Sequence, residues 1–208
     1  MPSKADLEAY MFNRVNDIRA QYGLKPYQPD AELFRAAEEH SADMITHDYF
    51  SHVSPNGENP GDRLHDAGYG WSGYSEIIAY SSDNDVMEFS DMDGLLNLWM
   101  NSSGHRAAIL STSNTEAGFG IEYGEFNGRT VVMGTGDFGR PTAAEAAESD
   151  NFIPTAGNST PGSGGSPTPR PPIDYWGFGS SGNQSFGSSP DYHIPRIPSS
   201  ITDYWTLS

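Results

Sequence analysis

The stretch WMNSSGHRAAIL, residues 99–110, places a histidine directly after a Ser-Ser-Gly break between two apolar segments. Apolar residues upstream, over 86–99, recur at irregular helical spacing, so we predict a helix that ends near Met100. His105 then falls on one or two further helical turns. A histidine in this position can be a helix cap, a metal ligand or a proton carrier, and the rest of the chain must distinguish these roles.

Three more helices are predicted before this stretch. Apolar residues over 7–18 follow helical spacing, and a second apolar stripe over 33–45 is preceded by Asp30, a residue type that caps helices. A short helix opens at Pro60 and stops at Gly68.

Strands are predicted in YSEIIAY (74–80), AGFGIEYG (117–124) and RTVVMGTGDFG (129–139). Between the last two, Asn127-Gly128 supplies the positive φ angles of a tight hairpin turn. Helices that flank a small antiparallel sheet indicate an α+β or three-layer α/β/α domain.

The composition changes sharply after GTGDFGRP, and we predict three regions from this change. Residues 1–140 form the folded domain, and residues 141–172 form a linker rich in Pro, Gly and Ser that buries too little apolar surface to fold. Residues 173–208 form a low-complexity tail with two related aromatic pieces, IDYW and ITDYW. The tail is interpreted either as unstructured or as a segment that docks onto a protein surface.

Charge and composition exclude several classes of protein. The chain has 11 Lys and Arg against 28 Asp and Glu, a net charge of −17, which lacks the basic surface that nucleic acids and anionic membranes require. It has no cysteine, which excludes disulfides, thiolate zinc sites and cysteine nucleophiles. No apolar run is long enough for a transmembrane segment, and the N-terminus lacks the apolar core of a signal peptide.

Three ionisable residues lie within apolar sequence: His52, Glu76 and His105. Each must find a partner in a folded protein, since burying an unpaired charge is costly. Strand alternation places Glu76 on one face with Ile78 and Tyr80. Two imidazoles and a carboxylate can bind Zn²⁺ with one open position, or can exchange protons near neutral pH without metal. Spacing alone leaves open whether the three converge.

The segments HSADMITHDYFSH, GDRLHDAGY, SEIIA and WMNSSGHRAAIL, followed by AGFGIEYG, resemble the bacterial branch of the CAP superfamily in that order. This superfamily is also called SCP/TAPS, or the cysteine-rich secretory protein, antigen 5 and pathogenesis-related 1 family. The resemblance covers roughly residues 5–139. It implies an α-β-α sandwich with a central antiparallel sheet and an open cleft. By motif, His52, Glu76 and His105 match the two histidines and the glutamate of that cleft.

The chain departs from the family pattern beside these residues. The usual Gly-Glu-Asn is Ser75-Glu76-Ile77, and the asparagine of the GHRxNIL motif is Ala108. Ser102 occupies the place where eukaryotic relatives carry a second glutamate. The resemblance therefore implies a three-residue cleft, which can still hold zinc or another divalent cation with one position open.

Other polar residues are given structural interpretations. We predict that His47 faces solvent, that His40 packs in the core or binds a carbonyl, and that His65 is exposed near a helix end. Arg63 is predicted to bond loop carbonyls or a carboxylate. The acidic run over 81–93 has oxygens suited to Ca²⁺, but it lacks the spacing of an EF-hand loop and is interpreted as a solvated loop.

The resemblance implies a secreted protein whose cleft binds a small apolar ligand, a glycan or a protein partner, and it leaves open whether a divalent metal is held. A hydrolase that activates water through a metal or Glu76 is the alternative, although the sequence shows no nucleophile elbow or triad order. A structural or adhesive role through the tail is a third hypothesis. Export without an N-terminal signal would require another route, for which the tail is a candidate, and the oligomeric state is left open.

Overall fold

The computed structural model describes residues 2–82 and 88–148. The predicted tail (173–208), most of the linker (141–172) and part of the acidic run (81–93) lie outside the described residues. The interpretations given to those segments, including the domain boundaries and the docking of the aromatic pieces, therefore stay predictions.

The predicted helices form, and their caps explain where they begin. The Asp30 carboxylate accepts a hydrogen bond of 2.8 Å from the Leu33 N–H and starts the second helix. Asn59 and Asp62 start the third helix with a reciprocal capping box. Within the described residues the α-helices are α1 (Lys4–Gln21), α2 (Ala31–Thr46), α3 (Pro60–Asp66), α4 (Phe89–Asn101) and α5 (Ser103–Ile109).

The sheet has the strand order β1-β3-β4-β2. The three long strands are antiparallel neighbours, as predicted, and Asn127 and Gly128 make the β3–β4 turn with φ angles of 51° and 70°. A two-residue strand that the sequence did not predict pairs parallel to β3, so the sheet is mixed. The strands are β1 (Gln28–Pro29), β2 (Trp71–Ser82), β3 (Glu116–Phe126) and β4 (Arg129–Pro141).

One face of the sheet carries the apolar core and is covered by α1 and α4. Phe119 of β3 is fully buried, and its ring centroid lies 6.2 Å from that of Trp99 in α4 and 6.3 Å from that of Phe12 in α1. Phe138 of β4 packs edge-on against the same ring at 5.8 Å. These aromatic contacts join the helical layer to the sheet.

The other face is covered by α2, which approaches the sheet closely over two glycines. A Cβ atom at Gly118 would lie 2.1 Å from the Phe34 nitrogen, and one at Gly120 would lie 2.1 Å from the Ala37 carbonyl carbon. Beside α2, α3 contributes Leu64 to an apolar cluster with the α2 side chains. Helices on both faces confirm the predicted α+β, three-layer α-β-α sandwich. Among the described residues, no helix is both long and apolar enough to cross a bilayer.

Candidate functional site

Glu76 lies near the middle of β2, on the face that α2 and α3 cover. Its side chain is 2% exposed, although its main chain, on an outer strand, reaches solvent. Ile78 on the same face packs against Met44 of α2, whereas Ile77 faces the apolar core and approaches Gly136. The strand alternation predicted from the sequence is therefore confirmed.

His52, in the loop that follows α2, contacts this buried carboxylate. Its Nδ1 lies 2.6 Å from the Glu76 Oε1, and its side chain is 36% exposed. An ionised carboxylate only accepts hydrogen bonds, so Nδ1 carries the proton that bonds to Glu76. In the neutral imidazole this leaves Nε2 with its lone pair free for a ligand or a proton.

Arg63 of α3 fixes both residues in place. Its Nη2 donates to the Glu76 Oε2 at 2.6 Å and to the main-chain carbonyl of His52 at 3.0 Å, and its Nη1 donates to the Glu58 carbonyl at 3.3 Å. The predicted structural role of Arg63 is thus confirmed. One guanidinium neutralises the buried carboxylate and ties the loop that carries His52 to the same carboxylate.

The surroundings of Glu76 keep it ionised. Burial alone would raise the pKa of its carboxyl, but the hydrogen bond from His52 and the electrostatic effects of His40 and Arg63 outweigh burial and lower that pKa below its usual value. At neutral pH the site therefore contains a buried anion, a buried cation and an imidazole that reaches the surface.

His40 of α2 is a second histidine in this environment. Its side chain is fully buried, its Nε2 donates to the Ser51 carbonyl at 3.1 Å, and the same atom lies 3.8 Å from the Glu76 Oε1. Burial lowers the pKa of His40 to about 4, so the ring is neutral at physiological pH. The prediction that His40 packs in the core or binds a carbonyl is confirmed, since it does both. Its place beside Glu76 was not anticipated.

Asp137 is a site residue that the sequence interpretation missed. It lies directly opposite Glu76 in the β2–β4 pairing, is 1% exposed, and has no hydrogen-bond partner for either carboxyl oxygen among the described residues. Burial and the negative charge of Glu76 raise the pKa of Asp137 well above its usual value. A signal was available, because an aspartate interrupts the apolar strand RTVVMGTGDFG as a glutamate interrupts YSEIIAY.

The structure places His105 in α5, where the residue is half-buried. Among the described residues, the set of three potential metal ligands whose atoms all lie within 4.8 Å of one another is Asp30, Glu32 and Glu145. His52, Glu76 and His105 do not form such a set, so their joint metal site stays a prediction.

His47 and His65 take the places expected of them. The His47 side chain is mostly exposed and pairs with Asp43 at 2.7 Å, and the His65 side chain is more exposed still, beside Asp66 near the end of α3. Neither contacts Glu76, and both predictions of surface positions are confirmed.

Exposed apolar side chains adjoin His52. Phe50 and Val53 flank it in the same loop, and both are exposed. The ring of Phe50 packs edge-on against Tyr80 of β2 with centroids 4.9 Å apart, and Tyr80 is also exposed. We call these three exposed side chains, Phe50, Val53 and Tyr80, the apolar rim.

Comparisons with known proteins agree with this architecture. Residues 12–135 match the profile of CAP, the cysteine-rich secretory protein family. Over 115 residues the chain is 32% identical to YlbC of Bacillus subtilis, described as an uncharacterized membrane protein, and the match covers 55% of this chain and 31% of YlbC. The chain thus spans about a third of the length of that relative.

Solved structures show the same similarity. An extracellular SCP-domain protein from Bacillus anthracis is 32% identical, and the match covers 62% of this chain and 39% of that protein with a TM-score of 0.49. An outer surface protein from Borrelia burgdorferi is 20% identical, and the match covers 68% of this chain and 100% of that protein with a TM-score of 0.52. The second similarity shows a shared fold.

Proposed function

Because the chain belongs to the CAP family of cysteine-rich secretory proteins, we propose that it is an extracellular binding protein whose ligand contacts His52. The family description supports a place outside the cell, and the description of YlbC as a membrane protein is compatible with a place at a membrane surface. The ligand class that the rim favours is a small apolar molecule or an apolar segment of a protein partner, since Phe50 and Val53 flank His52 in its loop and Tyr80 packs against Phe50. A glycan is the more polar ligand class that we propose for the same site.

The observation that carries the proposal is the 2.6 Å contact between the His52 Nδ1 and the Glu76 Oε1. Burying a carboxylate is costly, and here Glu76 is buried where it orients one exposed ring. Arg63 fixes the other oxygen of the carboxylate, so the imidazole is held in one tautomer and one direction. A ring that is already oriented loses little conformational entropy when a ligand binds to it.

The same arrangement suits a divalent cation such as Zn²⁺. Histidines that bind metals usually donate their other ring N–H to a carboxylate, as His52 does to Glu76. We propose that His52 and His105 would hold the ion. Both oxygens of Glu76 are engaged, by His52 and Arg63, so Glu76 would orient His52 instead of presenting a free oxygen. The bound ion would act as a Lewis acid towards a polar group of the ligand.

A calorimetric titration of the full chain with Zn²⁺ tests the metal. We expect one equivalent to bind to the wild type and none to the variant His52→Ala/His105→Ala. The matched control is His47→Ala, which removes an exposed histidine far less integrated into the fold and should bind like the wild type. Identical isotherms for the wild type and the double variant would rule out this metal site.

A neutral apolar fluorophore, N-phenyl-1-naphthylamine, tests ligand binding separately from metal. We expect the wild type to bind it, and the variant Phe50→Ser/Tyr80→Ser to bind it at least tenfold more weakly, because both substitutions remove apolar contact area from the rim. Equal binding by this variant, or no binding by the wild type, would contradict an apolar site beside His52.

A hydrolase is the second candidate, favoured by the same hydrogen bond. A histidine whose Nδ1–H bonds to a carboxylate has a basic Nε2 that can take a proton from water. If this occurs, hydrolysis of a peptide and ester library should fall at least a hundredfold in Glu76→Gln, which keeps the shape but weakens the bond to His52. Hydrolysis that persists unchanged in Glu76→Gln would remove the role assigned to this pair.

A further inference from the structure

A groove of about 560 Å³ lies beside α3, at the start of β2. Its lining includes Trp71 and Tyr74 of β2, Asn59 and Asp62 at the start of α3, and Thr142 after β4. None of the lining residues belongs to the His52 and Glu76 site. Its volume falls within the range of roughly 300 to 1,000 Å³ that is typical of small-molecule sites.

Trp71 gives the groove an exposed aromatic surface. The side chain is 39% exposed, yet its polar atom is turned towards the protein, because Nε1 donates to the Gly61 carbonyl at 3.3 Å. The surface that the indole offers to a ligand is therefore hydrocarbon. A large aromatic group at the surface, with its one hydrogen-bond donor already used, is suited to bind the apolar side of a ligand.

Tyr74 holds this indole in place. The two rings meet edge to face, with centroids 4.7 Å apart and planes at 74°. Tyr74 is itself fixed by α3, since a Cβ atom at Gly61 would lie 2.9 Å from its ring. The aromatic surface is therefore ordered before any ligand arrives, which lowers the entropic cost of binding.

The polar side of the groove is held in place by the start of α3. In the capping box, the Asn59 Oδ1 accepts from the Asp62 N–H at 3.2 Å, and the Asp62 Oδ2 accepts from the Asn59 N–H at 3.1 Å. These bonds fix both side chains while leaving the Asn59 amide as a donor and the Asp62 Oδ1 as an acceptor. A fixed donor and a fixed acceptor thus stand beside an apolar ring.

We propose that this groove binds a neutral saccharide, with one sugar ring stacked on Trp71 and its hydroxyls bonded by Asn59 and Asp62. A pyranose has the matching surfaces, because one side of its ring exposes C–H groups and its edge carries hydroxyls that both donate and accept. An anionic sugar is disfavoured by Asp62 and by the chain's net charge of −17.

Binding of neutral trisaccharides to the full chain tests the proposal, by calorimetry and saturation-transfer NMR. The probes are trisaccharides of N-acetylglucosamine, β-linked glucose and α-linked mannose. We expect at least one to bind, with its ring C–H protons receiving the strongest saturation. Trp71→Ala should weaken binding at least tenfold, and Trp71→Phe should weaken it about threefold, because a smaller aromatic surface remains.

The matched control is Tyr22→Ala, which removes another exposed aromatic side chain at the end of α1 and should leave saccharide binding unchanged. Circular dichroism on each variant checks that it is folded. Asp62→Asn, which weakens only the polar side of the groove, gives a second readout, with an expected two- to fivefold loss of saccharide affinity. The proposal is overturned if no probe binds at millimolar concentration, or if Trp71→Ala binds as well as the wild type. It is also overturned if tetramethylammonium binds in the groove and the saccharides do not, since the aromatic surface would then serve a cation.

Discussion

The two faces of one sheet differ in chemistry although the same strands build both. Ile77 and Phe119 point into an apolar layer of buried rings. Glu76, which directly precedes Ile77 in β2, points to the other side, into a layer that holds Asp137 and His40. Burial of apolar area is favourable wherever it occurs, but a buried charge is tolerated only beside fitted partners. Burial of the apolar face therefore stabilises the fold, whereas burial of the ordered polar site on the opposite face costs part of that free energy.

The polar face also leaves groups unsatisfied. Arg63 makes four hydrogen bonds through its two terminal nitrogens, one of which is also the ion pair with Glu76. Its Nε nevertheless has no partner among the described residues, and neither oxygen of Asp137 has one there. Unpaired buried polar atoms cost about 1 to 3 kcal/mol each, so they persist only where other contacts hold the structure. Substitutions on this face should therefore alter the free energy of unfolding and the geometry of the Glu76 site to different extents.

The largest effect is expected where α2 meets the polar face. Gly120→Ala would place a Cβ atom 2.1 Å from the Ala37 carbonyl carbon and the Glu38 nitrogen, both main-chain atoms that cannot turn aside. The helix must move away from the sheet, and His40 moves with it. We expect a loss of more than about 4 kcal/mol in the free energy of unfolding, measured by urea denaturation.

Gly94→Ala is the matched control, because a Cβ atom there meets nothing within 4 Å and the residue lies inside α4. The same substitution should then stabilise the protein by up to about 1 kcal/mol, since alanine favours helix more than glycine. If both variants unfold at the same urea concentration, close packing of α2 on the sheet does not limit stability.

The second effect tests the buried ion pair. Arg63→Met leaves the Glu76 carboxylate buried without its cation and should destabilise the protein by about 3 to 5 kcal/mol. The double variant Arg63→Met/Glu76→Gln removes both charges and should recover much of that loss. Thermal unfolding of the four proteins of this cycle measures the coupling. Additive losses would show that Arg63 does not stabilise the protein through Glu76.

The sequence predicted most of the fold because the long elements follow strong periodic patterns. It did not predict β1, since the pairing of Gln28 with the chain near Thr115 depends on tertiary contact and leaves no periodic signal in two residues. Glu76 could be identified as an ionisable residue inside a strand. Asp137 carries the same signal, but only the strand register reveals that it faces Glu76.

Convergence of distant side chains was the least predictable feature. The motif resemblance assigned His52 and Glu76 to one cleft, and the structure places these two side chains in contact. It adds His40, whose place beside the apolar stripe of α2 favoured a purely structural role. His105 lies in the short helix α5, and its convergence with His52 and Glu76 stays a prediction. Sequence spacing carries no information about which loop folds back onto a strand, because that depends on helix packing.

A smaller effect is expected from the pH dependence of His40. Its pKa is about 4 in the folded protein, against an ordinary value near 6.5 in the unfolded chain, so between these values the unfolded state binds more protons. Stability is therefore fully present above pH 6.5 and falls as the pH drops towards 4, by on the order of 3 kcal/mol. His40→Gln keeps a donor for the Ser51 carbonyl but does not titrate, so its stability should fall less over this range. Parallel curves for the two proteins from pH 7 to 4 would contradict a neutral, buried His40.

The smallest effect, with the opposite sign, is expected at Asp137. Burial and the charge of Glu76 raise the pKa of its carboxyl, so above its ordinary value near 3.8 the unfolded chain releases a proton that the folded protein retains. The contribution of Asp137 to stability therefore decreases as the pH rises from about 4 to 7. Asp137→Asn has nearly the same shape and cannot ionise, so it should match the wild type in stability near pH 4 and exceed it at pH 7. Urea denaturation of both proteins at pH 4 and at pH 7 measures this difference. If the variant instead loses stability relative to the wild type as the pH rises, Asp137 is an anion with a partner. The substitution removes a buried ionisable group from the polar face and leaves the apolar face unchanged. A gain in the free energy of unfolding at pH 7 would therefore show that the wild-type aspartate destabilises the fold.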